Sequence, residues 1–361
     1  MAEYSVVGKR VNRVDALAKV TGKALYAADI ILPNMLYGKV LWSSYAHARI
    51  RRLDVAKALA LDGVIAVITA ADVPEQNSEE EYPNPMTCCL AREKVIFAGQ
   101  PVAAVAAINP SIAEEAVGLI EVDYEELPAV IDVLEAMKPD APLVHPNSYT
   151  QSLSKKDTKP SNIFWYMKNY RGDVEAGFKE ADIVLENTFR TQTVNHGYLE
   201  PRAAVVSVDP EGKVTAWSDN QGIFELRELV AEFMNLPLNY VKVMPVEIGG
   251  AFGGKSHQVV APMCALLSQK TGRPVKIVMT REEVFKTQRP VPASVITIKM
   301  GANRDGRLIA ATATMIYDYG ALYGMGGMDV IPFGSFSGLN PYLIPNLKIE
   351  SYSVYTNKAP S

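Results

Sequence analysis

The sequence predicts a mixed α/β (α+β) protein of about two domains. Three observations lead there. Short β-type runs alternate with helical spacings along the chain. The chain has 361 residues, about twice an ordinary single-core domain. A polar stretch at 146–162, rich in Ser, Pro, Asn and Lys, interrupts the pattern. The expected organisation is therefore a first domain over 1–145, a linker over 146–162 and a second domain over 163–361. Hydrophobic residues make up 48% and charged residues 21%, which supplies a core. The net charge of −4 argues against a nucleic-acid clamp.

In chain order, Met35–Trp42 and Val64–Thr69 read as strands. Lys94–Ala107 reads as two strands around a turn at Ala98–Pro101. Ser111–Ile120 reads as a short helix, with Ser111 as its cap and Glu114 at capping-box distance. Ala203–Ser218 is a hairpin turned at Asp209–Gly212. In Gly222–Pro237, apolar Ile223, Leu226, Val230 and Phe233 keep helical spacing. A strand ending near Ile248 is followed by a glycine-rich loop and then a helix expected from Ser256 to about Lys270. Val275–Thr280 is a strand, a short helix begins at Arg281, and Ser294–Gly324 is a hairpin turned at Ala302–Gly306. The last strand-like run is Leu347–Tyr355.

Cys88 and Cys89 are adjacent and Cys264 is distant, so no disulfide framework or CxxC site is expected. The four histidines, His47, His145, His196 and His257, lack metal-ligand spacing. The N-terminus has no signal-peptide pattern, and no apolar run is long enough for a bilayer. A reducing, cytoplasmic setting without membrane or nucleic-acid partners is the expectation.

Gly249-Gly250-Ala251-Phe252-Gly253-Gly254-Lys255-Ser256 fits the phosphate-loop pattern G-x-x-x-x-G-K-[ST]. A P-loop NTPase is thus one reading, although no strand-terminal Asp supplies the magnesium ligand. Four glycines in six positions need a reason, and close backbone approach to an anionic or oxygen-rich group is one.

With its neighbours, the same loop resembles the molybdenum-binding subunit of the xanthine dehydrogenase and aldehyde oxidase family. The marks are GGxFGGK at Gly249–Lys255, SDNQ ending at Gln221, and HxYLEP at His196–Pro201. Upstream marks are Asp15–Ile30, Ser44–Ile50 and the run from Ala98 to Pro128. The resemblance implies an N-terminal α/β hammerhead domain followed by the first molybdenum-cofactor-binding domain. It further implies oxidation of an aldehyde or an aromatic or N-heteroaromatic carbon with water as the oxygen source. It places Gly249, Gly250, Ala251, Phe252, Gly253, Gly254, Lys255 and Gln221 at the molybdopterin, in its cytosine dinucleotide form. Gln221 and Phe252 stand beside the metal, and no residue of this chain ligates it. Lys255 is expected to neutralise phosphate or pterin, while Glu200 holds structure. Without the resemblance, Gln221 reads as a helix-capping amide, Phe252 and His196 as core residues, and His257 as a surface residue.

Ser256 is the substrate-proximal position, where xanthine-oxidising members carry Glu, so xanthine itself is not the expected substrate. The arginine segment and the general-base Glu of the family fall beyond Ser361. The expectation is a split or partial subunit, incomplete without a C-terminal half and served by [2Fe-2S] and FAD subunits. A non-catalytic docking half is the other alternative. A final strand with nothing after it predicts an uncovered sheet edge at Leu339, Tyr342, Leu343, Ile344, Leu347, Ile349 and Tyr352, and poor order from about Asp329 onward.

Overall fold

A computed structural model describes residues 4–74, 89–152, 156–256, 259–322 and 337–361. Cys88, His257 and Asp329, singled out above, lie outside the described residues. The first half runs α1 (Ala16–Val20), β1 (Leu36–Trp42), β2 (Ala48–Asp54), α2 (Ala56–Ala60), β3 (Val64–Thr69), β4 (Lys94–Val95), β5 (Pro101–Ala107), α3 (Pro110–Gly118), β6 (Glu121–Glu126) and α4 (Val133–Ala136). Then follow β7 (Tyr149–Gln151), β8 (Lys156–Pro160), β9 (Ile163–Arg171), α5 (Val174–Glu180), β10 (Ile183–Thr191), β11 (Ala203–Val208), β12 (Val214–Ser218), α6 (Ile223–Phe233) and β13 (Val241–Met244). The chain continues with α7 (Val260–Thr271), β14 (Val275–Val278), α8 (Arg281–Thr287), β15 (Ala293–Ala302), β16 (Leu308–Asp318) and β17 (Asn346–Val354).

One sheet has the order β13-β12-β11-β14-β1-β5-β3 and so draws strands from both halves of the sequence. Its central contact is the parallel pairing of β1 with β14, Leu36 opposite Val275. Strand β5 shows why both faces are dry. Ala104 and Ala106 pack toward α7, while Ala103 and Val105 pack toward α2 and α3. A second sheet has the order β10-β15-β16-β17-β9-β7-β8, and a small one the order β4-β2-β6. The two strands around the Ala98–Pro101 turn thus lie in different sheets. No helix among the described residues is long and apolar enough to cross a membrane.

Four sequence expectations change here. The helix near Ser111 begins at Pro110. Its cap is Asn109, whose side chain accepts from the Ile112 N–H, and Pro110 takes the first position, where no N–H is needed. The polar stretch at 146–162 is not a plain linker: β7 and β8 form the edge of the second sheet against β9. Polar residues suit such an edge because both its faces need not be dry. The helix after the glycine-rich loop begins at Val260, not Ser256, which puts Pro262 in its first turn.

The fourth change concerns the last residues. Strand β17 is interior, paired with β16 and β9 along its length. Leu339, Ile344 and Ile349 are buried, and only Tyr342 and Leu343 of the apolar set are strongly exposed. Thr356 and Asn357 are buried too. Asn357 accepts from the Val130 N–H at 2.9 Å and donates to the Ile96 carbonyl at 2.9 Å.

Buried His145 belongs to this packing. Its Nε2 lies 2.6 Å from the Ala321 carbonyl, and its ring meets Tyr355 edge-on. Burial, with a smaller contribution from Lys94, holds its pKa down at about 4. The imidazole is therefore neutral in the fold, whereas in the unfolded chain it takes a proton below about 6.5. Stability is expected to fall as the pH drops from 6.5 to 4, by about 3 kcal/mol from this residue. Urea midpoints across that range, compared with His145→Phe, check it: the variant's pH profile should be flatter. Parallel profiles would remove His145 as the cause.

Candidate functional site

Three connections meet at one end of the first sheet. Strands β12 and β13 are parallel, so their C-terminal ends lie side by side. Beyond β12 come Asp219, Asn220 and Gln221; beyond β13 comes the glycine-rich loop. Strand β11 is antiparallel to β12, so the segment entering it, His196–Arg202, arrives at the same end. Crevices at the C-terminal ends of parallel strands are where open α/β sheets bind ligands.

The glycines of the loop serve two purposes. Gly250 and Gly253 have φ of 93° and 91°, a region open to glycine. Gly249 and Gly254 are needed for packing. A Cβ on Gly249 would lie 2.7 Å from Glu200 Cβ, and one on Gly254 would lie 2.7 Å from His196 Nδ1. Phe252 also adopts positive φ, 54°, and is 74% exposed. It is thus no core aromatic; the loop holds its ring outward at a backbone cost.

Gln221 is tied to this loop by its backbone and its amide. Its N–H donates to the Lys255 carbonyl at 2.9 Å. Its Oε1 accepts from the N–H groups of Gly253 at 3.1 Å and Lys255 at 3.2 Å. Two donors on that atom fix it as the oxygen, leaving the amide NH2 facing away from the loop. The helix-cap reading of Gln221 fails, because the N-cap of α6 is Gly222, no side chain caps the helix, and the Gln221 Oε1 is spent on the loop. Among the described residues, no acceptor meets the N–H groups of Gly250, Ala251 and Phe252. The loop therefore presents consecutive backbone donors and one side-chain donor, all neutral.

Lys255 does not join them. Its side chain is fully buried, with Nζ 2.6 Å from Glu200 Oε2 and 2.9 Å from Asp219 Oδ2. It also sits 4.7 Å from the centroid of the buried Tyr198 ring. The charge expected to face a phosphate or pterin is turned inward. Arg202, also fully buried, donates to the Gly254 carbonyl at 2.9 Å and lies beside Asp219. Glu200 holds structure as expected, accepting from the Gly249 N–H at 2.7 Å.

The P-loop reading fails on this geometry. A phosphate loop runs straight into its helix and offers its Lys to the ligand. Here α7 starts only at Val260 and the Lys is inaccessible.

His196 is half-buried against Gly254 rather than in a core. Burial, helped by the nearby Arg289 charge, lowers its pKa. Ser256 donates its hydroxyl to the Gly253 carbonyl at 2.8 Å, which closes the loop. Gly254 also lines a mostly apolar pocket with Trp42, Phe97, Leu322, Arg289 and Ser361. Sequence reasoning missed Arg202 and Asp219. The available signal was a charge at each quoted motif: Arg202 follows Pro201 directly, and Asp219 lies within SDNQ, two before Gln221.

Residues 155–361 match the family model of the molybdopterin cofactor-binding domain, and residues 21–128 that of the aldehyde oxidase and xanthine dehydrogenase a/b hammerhead domain. The chain is 36% identical to the nicotinate dehydrogenase large molybdopterin subunit of Eubacterium barkeri, over 98% of this chain and 80% of that protein. It is 33% identical to the carbon monoxide dehydrogenase large chain of Afipia carboxidovorans, over 98% of this chain but 44% of that protein. Among solved structures, quinoline 2-oxidoreductase from Pseudomonas putida 86 superposes with a TM-score of 0.87 at 29% identity, covering 99% of this chain and 45% of that one. The chain thus spans less than half the length of the last two relatives.

Proposed function

The chain belongs to the aldehyde oxidase and xanthine dehydrogenase family of molybdopterin-binding proteins, and from that premise we propose that the loop Gly249–Lys255 with Gln221 holds the molybdenum cofactor of a hydroxylase. The substrate is an aldehyde or an aromatic or N-heteroaromatic compound, with water as the oxygen source. One observation carries the assignment: three consecutive N–H groups without an acceptor among the described residues and the exposed Gln221 amide belong to one loop that is anchored on a buried charge cluster. Neutral donors of this kind suit an oxygen-rich, polyanionic group. The space over Gly253 suits it too, since the nearest side-chain atom to an added Cβ there is His196 Nε2 at 3.7 Å.

When bound, the cofactor supplies the oxygen-transfer and electron-accepting chemistry. The chain's own residues bind and orient. The N–H groups of Gly250, Ala251 and Phe252 donate to the cofactor's oxygens, and the Gln221 NH2 donates beside the metal. Phe252 covers that face, and the apolar walls at Trp42, Phe97 and Leu322 exclude water from an incoming planar substrate. Ser256, the substrate-proximal residue, carries no charge, which disfavours a purine ligand held by a carboxylate. Completing turnover requires a carboxylate general base from the C-terminal half, and [2Fe-2S] and FAD subunits for the electrons. A cytosine dinucleotide form of the pterin and a cytoplasmic setting complete the proposal.

Elemental analysis of the protein purified with its partners from molybdate-supplied cells tests it. Molybdenum stoichiometric with the chain is expected. Gly253→Val should fold but hold little of it, because a branched side chain fills the cradle and strains a left-handed position. A metal-free wild-type protein, or a Gly253→Val variant loaded like wild type, would sink the assignment.

A further inference from the structure

The buried charges beneath the loop are arranged in a way the cofactor assignment does not require. Two cations, Lys255 and Arg202, face two carboxylates, Glu200 and Asp219, so the cluster is neutral as a whole. The cluster grips the loop at both ends. Glu200 Oε2 takes the Gly249 N–H at the entry, and Arg202 reaches the Gly254 carbonyl at the exit. Lys255 joins this anchor to the site. Its ammonium bridges Glu200 and Asp219, while its own peptide groups clasp Gln221, accepting from the Gln221 N–H and donating to Oε1.

We propose that Lys255 and Glu200 are positioning residues: their buried ion pair sets the shape of the Gly249–Lys255 loop and, through the Lys255 backbone, the aim of the Gln221 amide. The pair touches no ligand. It acts by holding the open N–H groups of Gly250, Ala251 and Phe252 in one arrangement before anything binds, which removes an ordering step from binding. A lysine that only neutralised an anionic ligand would be exposed to it. This one is enclosed by two carboxylates and an aromatic ring. The idea rests on the proposed function only for the identity of the ligand; the loop geometry stands without it.

Removing one charge leaves another stranded in the interior, so Lys255→Met alone is expected to be poorly stable. The double variant Lys255→Met/Glu200→Gln leaves Arg202 with Asp219 and restores neutrality, so it should fold with a denaturation midpoint near that of wild type. The decisive readout is amide hydrogen exchange on cofactor-free protein, at the bonded N–H groups of Gly249, Gly253 and Lys255. These are expected to exchange about 10-fold or more faster in the folded double variant, while β11 and α7 keep wild-type protection. Molybdenum retained after dialysis should fall in parallel. A folded double variant with wild-type exchange in the loop overturns the proposal and leaves the pair as a contributor to stability alone. A double variant that does not fold overturns it too, because the pair would then serve the core. Wild-type protein without molybdenum would defeat the proposed function, yet the exchange comparison would still decide this one.

Discussion

Gln221→Ala is expected to lower kcat of the loaded, assembled enzyme by about 10²- to 10³-fold, the usual consequence of losing one preorganised donor beside a reacting group. The alanine variant also removes the acceptor that holds the N–H groups of Gly253 and Lys255. Rates must therefore be normalised to molybdenum content. Gln221→Glu separates the two roles. A carboxylate oxygen can keep both N–H bonds and the loop, but it offers an acceptor where the amide offered donors. The Glu variant should retain its molybdenum and still lose kcat by a comparable factor, with KM changed much less. Turnover of the Glu variant equal to wild type would remove the Gln221 NH2 from the chemistry and leave the residue as a loop tie.

What made the glycine-rich loop readable in the sequence is that its reason is local, whereas Gln221 alone reads as a helix cap and takes its place only from the resemblance. Four glycines close together demand a backbone explanation wherever they occur. Leu226, Val230 and Phe233 announce the buried stripe of α6 by spacing alone, and all three are buried. The hairpin of β11 and β12 is likewise written in its turn residues. The direction of Lys255 is not local. The string GKS is shared with phosphate loops, and what turns the ammonium inward is Glu200 and Asp219, which lie on two other connections. Their convergence depends on β11, β12 and β13 ending together, and no one-dimensional pattern shows that. The same limit explains β7 and β8. Their composition reads as solvated, and only the edge position beside β9 makes them strands. It also explains the shared sheet: the β1–β14 pairing joins residues far apart in the chain, so a composition break at 146–162 reads as a boundary that the sheet crosses.

The last residues give the second large effect, expected at Gly320. Its φ is 69°, and a Cβ there would lie 2.2 Å from the Ala359 carbonyl oxygen and 2.8 Å from its carbon. Both obstacles are backbone, so no side-chain rotation relieves them. The returning segment is also held from several sides. Its Thr356 N–H donates to the Gly320 carbonyl, its Lys358 carbonyl accepts from the Ala321 N–H, and the Ser361 N–H donates to the Tyr319 carbonyl. Asp318 takes the Thr356 hydroxyl at 2.5 Å and the Lys358 ammonium at 2.6 Å. The polar groups of this segment are matched one by one by Gly320, Asp318, Val130 and Ile96. Gly320→Ala must displace this segment and lose several of those bonds. The expected cost is about 3–5 kcal/mol, from left-handed strain plus hydrogen bonds worth about 1 kcal/mol each. Gly306→Ala is the control. It shares a positive φ, 87°, but an added Cβ there meets nothing within 4 Å. Strain alone should then cost it about 1 kcal/mol. Urea midpoints of the two variants, with proteolysis of the segment after Val354, measure the difference. Equal midpoints would mean that the segment does not pack on Gly320 in solution. A large gap with early cleavage beyond Val354 would show that these residues hold the segment that ends at Ser361, which lines the pocket beside Gly254.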